Sequence, residues 1–255
     1  MPASPVKREA FAFAREFPMA PSQELKVEQH YLLCASRGAL RLEAHGKVWV
    51  LPPARAALIA AAEPIQVAIP QPVTTSSVLF DPGFAPPPPA PLTVFDLTPL
   101  ARALVTECVQ WPDAADPLPP YARIVFGALA AVAWRLAEHP SPVTIPSGRS
   151  PELRRALALT ENGLAEELTF EDIAGRVGLA PRSLARRFED ECGMTWSAVL
   201  RRMRVLRAIE KLATNGSSVT TIAHAVGYTS LSAFNVAFRD LTGRTPTDYR
   251  RTFRP

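Results

Sequence analysis

The last third of this chain repeats itself, and no other feature limits its fold as strongly. Ile173-Ala174-x-x-Val177-Gly178 returns 49 residues later as Ile222-Ala223-x-x-Val226-Gly227. Phe188-x-Asp190-x-x-Gly193-x-Thr195 returns 50 residues later as Phe238-x-Asp240-x-x-Gly243-x-Thr245. The offset grows by one because the second copy has one more residue after its first glycine. Each copy reads as a short helix, a glycine turn, and a second helix closed by glycine, which is the layout of a helix-turn-helix. Two such pairs are expected, over 168–193 and 217–243, joined by a long helix over 196–213.

At 255 residues the chain is long enough for two domains with their own cores. Proline divides it: 23 of the 27 prolines fall in residues 1–150. That density excludes long helices from most of the region, so a strand- and loop-rich first domain and a helical second one follow. The clearest boundary is His139 to Pro151, where Pro140, Pro142, Pro146 and Pro151 surround Ser147-Gly148. The expected division is a first domain over 1–139, a linker over 140–151 and a second domain over 152–255. Charge divides in the same way. Residues 1–150 are neutral overall, whereas from Arg176 onward 14 basic side chains stand against 6 acidic ones. Such an excess suits a polyanion-binding surface; on charge alone, a solvated face is the other reading.

Cys34, Cys108 and Cys192 are odd in number, far apart and in no CxxC pair. Free thiols in a reducing cytosol are expected. Met1 to Phe17 lacks the continuous apolar core of a signal peptide. No apolar run approaches the roughly 20 residues of a membrane span. A soluble, cytoplasmic protein with no membrane partner is expected.

In the first domain, residues 1–22 read as a poorly defined arm. From Tyr31 onward short apolar runs follow one another at about ten-residue spacing. They are Tyr31–Cys34, Leu40–Ala44, Val48–Val50, Ala56–Ala61, Ile65–Ile69 and Val73–Phe80, punctuated by Gly38, His45-Gly46, Pro52-Pro53, Glu63-Pro64, Pro70 and Asp81-Pro82-Gly83. Period-two alternation on either side of His45-Gly46 marks a hairpin. Five or six such strands imply a small antiparallel β-barrel or sandwich. Pro86 to Pro89 reads as a polyproline spacer leaving the sheet. Two helices come next, one opened by Thr98-Pro99 and one over 121–138. The second is apolar on so much of its surface that it calls for more than one neighbour, the sheet and a second subunit; ordinary core is the alternative.

Nothing in this first domain reads as catalytic. Its histidines and His224 total four in the chain and form no His-x-His, short of the three well-placed ligands a catalytic metal needs. No nucleophile elbow or phosphate loop is present. No metal and no cofactor are expected. The mouth of a small barrel can hold a small molecule without chemistry, and His30 and Trp49, both on strands, are the candidates to line such a pocket.

The second domain carries the chemistry. Thr169-x-x-Asp172 reads as a capping box for a helix over 170–176. Gly178 suits the turn. Pro181 opens the next helix, which runs to about Cys192. There Leu184 and Phe188 face inward, while Arg182 and Arg186 lie i, i+4 on the outer face with Ala185 between them in projection. Arginine holds guanine O6 and N7 bidentately, so these three are base-contact candidates on a recognition helix in a major groove. Ser183 and Arg187 are phosphate candidates, which position without specifying. The joining helix, 18 residues at about 1.5 Å each, spans about 27 Å. Such a strut holds two helix pairs near one DNA turn apart, roughly 34 Å. In the second copy Phe234 and Phe238 are the inward pair. Ser232 and Val236 occupy the places of Arg182 and Arg186, with Leu231 and Asn235 beside them as further base-contact candidates. Arg239 and Thr245 are the phosphate candidates there.

Gly227-Tyr228-x-Ser230-x-Ser232-Ala233-Phe234-x-x-Ala237-Phe238-Arg239-x-x-x-Gly243-x-Thr245-Pro246-x-x-Tyr249-Arg250 resembles the signature of the AraC/XylS family of bacterial transcription regulators. Leu179-x-Pro181-Arg182-x-Leu184-x-Arg186-x-Phe188 resembles that family's first helix-turn-helix. The resemblance covers about residues 150–251; the first domain is more weakly similar to the family's cupin-like regulatory domains. It implies a two-domain protein: a small cupin- or jelly-roll-like antiparallel β-barrel with helices, then an all-α tandem helix-turn-helix. It further implies a non-enzymatic regulator, activator or repressor, that binds double-stranded operator DNA. A small-molecule effector in the barrel, a homodimer mate and RNA polymerase are the other partners implied. Two positions depart from the pattern: Val236 stands where many members carry arginine, and Ala180 where serine often caps the first recognition helix. Two alternatives stand beside this reading: a barrel enzyme with a DNA-binding tail, and a non-specific architectural DNA binder.

Overall fold

The computed structural model describes residues 8–53, 55–112, 117–166, 169–214 and 216–251. Two compact units emerge, Met1–Leu42 with Leu51–Ser141, and Glu43–Val50 with Pro142–Arg254.

Strands dominate the first part of the chain: β1 (Ala10–Phe17), β2 (Ala20–Leu25), β3 (His30–Arg37), β4 (Leu40–Ala44), β5 (Lys47–Leu51), β6 (Arg55–Ile59), β7 (Ile65–Ile69), β8 (Val73–Phe80) and β9 (Leu92–Asp96), with β10 (Ile145–Pro146) later in the chain. One sheet runs β1-β8-β3-β6-β9 and a second runs β10-β5-β4-β7-β2. Neighbours in the first sheet are antiparallel throughout. The reading of residues 1–22 as an arm is corrected for residues 8–22, which hold β1 and the start of β2; residues 1–7 lie outside the described residues. Ala10 and Ala12 are buried while Phe11 and Phe13 are only partly so, a period-two pattern whose inward residues are too small to announce a strand. The strand exists because all eight of its residues pair with β8. After Pro86–Pro89 the chain returns to the sheet as β9, which the sequence reading did not assign. Arg55 on β6 lies opposite Asp96 on β9, and its Nε donates to the Asp96 carboxylate at 3.2 Å.

The N-terminal core lies between the first sheet and two helices, α1 (Pro99–Cys108) and α2 (Pro120–Ala137). Thr98 caps α1 by accepting from the Ala101 N–H at 3.2 Å. Phe80 is fully buried at the centre, with the rings of Phe84, Phe126 and Trp134 at 6.2, 6.4 and 5.6 Å. α2 buries Val125, Phe126, Leu129 and Ala133, and leaves Tyr121 and Ile124 exposed. His30 is buried, and its Nδ1 accepts the Ala61 N–H at 3.0 Å. Burial holds its pKa below the ordinary 6.5, against an opposing pull from Asp81. Burial also pushes the thiols of Cys34 and Cys108 up to about 12, so these are inert core groups.

Helices build the second part: α3 (Pro151–Asn162), α4 (Phe170–Arg176), α5 (Pro181–Cys192), α6 (Trp196–Thr214), α7 (Val219–Ala225), α8 (Leu231–Thr242) and α9 (Pro246–Arg251). Local chemistry explains their starts. Thr169 and Asp172 form a reciprocal capping box on α4. Ser218, Ser230, Thr195 and Thr245 each accept the N–H three residues on. Leu168 and Asn215, at the ends of the expected elements, lie outside the described residues. The repeated apolar positions are the two helix-pair cores: Ile173, Ala174, Val177 and Phe188, then Ile222, Ala223, Val226 and Phe238, are all buried. The repeated Gly193 and Gly243 close α5 and α8 at φ 61° and 72°. Glu191, near the end of α5, accepts from the Ser150 N–H at 2.7 Å and the Ser150 hydroxyl at 2.6 Å, fixing the start of α3.

The two turn glycines are conformationally alike but differ in surroundings. Gly178 has φ 75° and open space where a Cβ would be. Gly227 has φ 88°, and a Cβ there would sit 2.1 Å from the Leu164 carbonyl oxygen. Gly178→Ala is therefore expected to cost only the left-handed penalty, about 1–2 kcal/mol. Gly227→Ala should cost about 1–3 kcal/mol more through the clash. Urea unfolding followed by circular dichroism at 222 nm distinguishes them; equal costs would contradict the difference in packing. For His30 the sign is set by its lowered pKa: the neutral form is the folded form. Its contribution is present above pH 6.5 and is lost as pH falls from there toward the lower folded value. In His30→Gln the part of the acid-side loss of stability due to this group should vanish in the same unfolding measurement at pH 5 to 8.

Candidate nucleic-acid interface

α5 and α8 each follow a glycine turn and each bury one apolar face, so each presents the opposite face to solvent. On α5, Leu184 and Phe188 are fully buried. Arg182 and Arg186 are exposed, with Ser183 and Ala185 partly so. The four share one helix. Among the described residues neither Arg182 nor Arg186 is in an ion pair, so both guanidinium forks are available to a ligand. Arg187 is placed differently. Its Nη1 donates to Glu152 of α3 at 3.0 Å, and Glu191 lies 4.0 Å away. Its partner is 35 residues away in sequence, so no local pattern could have found it.

On α8, Phe234 and Phe238 are buried, while Ser232, Asn235 and Arg239 are exposed, Val236 is 60% exposed and Leu231 37%. Ser230 caps α8 through its side chain, whereas Ala180 gives α5 no side-chain cap. Thr245 spends its hydroxyl on α9, donating to the Asp248 carboxylate at 2.6 Å and accepting the Asp248 N–H at 3.2 Å. The two exposed faces thus differ in chemistry: one carries Arg182 and Arg186, the other Ser232, Asn235, Val236 and a single cation, Arg239.

Arg204 on α6, which by periodicity belongs to the polar cover of the long helix, is half-buried and engaged. Its Nε donates to the Leu164 carbonyl at 3.2 Å, and its guanidinium carbon lies 5.6 Å from the Tyr228 ring centre. Arg201 of α6 is 3.7 Å from Asp240 of α8. At the start of α6, the Trp196 indole N–H donates to the Thr160 hydroxyl of α3 at 2.9 Å.

The two pocket candidates in the first part of the chain are both buried on strands. His30 is a core residue edge-on to Trp134 at 6.0 Å, and Trp49 is buried on β5. A cleft of about 430 Å³ lies elsewhere in the N-terminal unit, between residues 83–86 and α2, with Phe84, Pro86, Arg123, Gly127, Ala131 and Trp134 on its walls.

Residues 173–252 match the family profile described as a helix-turn-helix domain. The chain is 34% identical over 94 residues to the HTH-type transcriptional activator RhaS of Pectobacterium carotovorum subsp. carotovorum, covering 37% of this chain and 34% of that protein. It is 32% identical over 101 residues to the HTH-type transcriptional regulator GadX of Escherichia coli K12, covering 39% of this chain and 36% of that protein. The chain thus spans about a third of the length of these relatives. Among solved structures, it is similar to a transcriptional regulator of the AraC-type DNA-binding-domain-containing proteins from Chromobacterium violaceum. That match has 32% identity, covers 40% of this chain and 90% of that one, and has a TM-score of 0.39. The C-terminal region of this chain, over residues 173–252, is a helix-turn-helix domain.

Proposed function

We propose that this chain is a sequence-specific DNA-binding transcription regulator whose two recognition helices, α5 and α8, enter major grooves of double-stranded operator DNA. The observation that carries this is the pair of exposed helix faces behind glycine turns, one of them with two unpaired arginine forks. Arg182 and Arg186 read guanine edges bidentately, with Ala185 close to the base plane. Leu231, Ser232, Asn235 and Val236 read the other sub-site, where Val236 suits a thymine methyl. Ser183, Arg187, Arg239 and Thr245, with the helix N-termini, hold phosphates. Arg187 does so from an ion pair, so its share of phosphate binding is smaller than that of Arg239.

The names of the relatives support this reading over a barrel enzyme with a DNA-binding tail. The unlike chemistry of the two faces supports it over a non-specific architectural binder, which needs only charge. The functional division is a regulatory domain over 1–139, a linker over 140–151 and a DNA-binding domain over 152–255, acting in the cytoplasm. The regulatory domain takes a small-molecule effector. The cleft between residues 83–86 and α2 has the size of a small-molecule site. The exposed Tyr121 and Ile124 on α2 suit a homodimer mate, and RNA polymerase is the partner through which a bound regulator acts.

The test is binding to a duplex enriched from a random pool by the full chain. Arg186→Ala is expected to weaken specific binding by about 1–3 kcal/mol and to relax the base preference at one position. Arg239→Ala should weaken binding to all sequences alike and lower the salt slope by about 1. If Arg186→Ala bound the enriched duplex as tightly as wild type while Asn235→Ala abolished binding, the assignment of the arginine-bearing helix as the main reader would be wrong.

A further inference from the structure

We infer that Arg204 is a positioning residue that sets the geometry between the two recognition helices, and with it the separation of the two DNA sub-sites; this rests on both helices reading DNA, as proposed above. Three observations meet at this side chain. Its Nε–H donates to the carbonyl of Leu164, just beyond the end of α3. The same guanidinium lies over the Tyr228 ring in the turn of the second helix pair, and Tyr228 packs edge-on to Phe234 of α8 at 5.4 Å. Finally, Gly227 approaches so closely that an added Cβ would be 2.8 Å from Arg204 Nη2 and 2.1 Å from the Leu164 oxygen.

α3 belongs with the first helix pair. Its Thr160 receives the Trp196 indole N–H, Trp196 packs against Phe170 at 5.5 Å, and Phe170 against Phe188 of α5 at 6.2 Å. A path of direct contacts therefore runs from α5 through Phe170, Trp196 and α3 to the Leu164 carbonyl, then through Arg204 and Tyr228 to α8. Arg204 is the link at which the first pair's supporting helix and the second pair's turn are held by one planar group. Lysine cannot replace it: a single ammonium lacks the flat face for the ring and the fork that donates sideways at the same time. The first turn has no such clamp, because Gly178 has open space where Gly227 has the Leu164 oxygen. The Arg204 clamp thus ties the second pair's turn to the first pair's supporting helix, alongside the Arg201–Asp240 ion pair between α6 and α8.

A rigid connector makes binding at two sub-sites depend steeply on their spacing, and a loosened one flattens that dependence. The experiment compares wild type, Arg204→Met and Arg204→Lys in the full chain. The first readout needs no DNA: the distance distribution between nitroxides attached at Glu189→Cys on α5 and Asn235→Cys on α8, with Cys192→Ser. Arg204→Met should broaden or shift it, with Arg204→Lys between the two. The second readout is affinity for the wild-type-enriched bipartite duplex with one base pair inserted or removed between its halves. Wild type should lose about tenfold or more per step and Arg204→Met about threefold or less, with equal affinity of all three for a duplex carrying one half alone. If Arg204→Met does not fold, Arg204→Lys carries both readouts. Unchanged distance distributions overturn the inference whatever the DNA results. So does an unchanged spacing profile, an equal loss on one-half and two-half duplexes, or a wild type that enriches a single half. A wild type that enriches no sequence while the distance distributions respond to Arg204 sinks the DNA-reading proposal and not the positioning role.

Discussion

Both helix pairs hang on a backbone conformation that L-residues with side chains adopt at a cost: positive φ at Gly178 and at Gly227. That turn lets a seven-residue helix reverse onto a twelve-residue one closely enough for Ile173 and Phe188, or Ile222 and Phe238, to share a core. Once α5 and α8 are seated by their phenylalanines, the faces opposite are necessarily in solvent. The placing of Arg182 and Arg186 there is a consequence of core packing rather than a separate device. The repeat keeps the residues that the turn and core demand and lets the outward positions diverge.

Much of the C-terminal half was legible because its signals are local. A capping threonine, a proline at the first helical position and a glycine at the C-terminus act within four residues, so α4 and α5 are read to the residue from sequence. The middle strands β3 to β8 were legible through alternation and their Gly and Pro punctuation. β1 and β9 were not, because each owes its existence to a distant partner: β1 to β8, and β9 to β6 through Arg55 and Asp96. Side-chain partnerships across the chain were equally hidden. Arg187 looks like Arg186 in sequence, yet only Arg187 meets Glu152. Arg204 reads as solvent cover on α6, and its contacts with Leu164 and Tyr228 depend on tertiary packing.

The site also shows why charge alone misleads. Of the arginines after residue 176, several are spent within the fold: Arg204 on Leu164, Arg250 on the Ser217 carbonyl, Arg207 on Glu210 and Arg187 on Glu152. Of the arginines left exposed to a polyanion, Arg182 and Arg186 lie on α5, Arg239 on α8 and Arg244 just beyond it. Under the proposed function this makes the two copies unequal readers. The first offers two guanidinium forks suited to guanine. The second offers Ser232, Asn235 and Val236, which suit weaker contacts and a thymine methyl.

Methylation interference on a duplex enriched by the full chain tests that inequality directly. Methylating guanine N7 removes the acceptor an arginine fork uses. Interference should be concentrated at guanines of one sub-site and be lost when Arg182 and Arg186 are both replaced by alanine. Guanine interference spread evenly over both sub-sites, or interference that survives the loss of both arginines, would contradict the inequality.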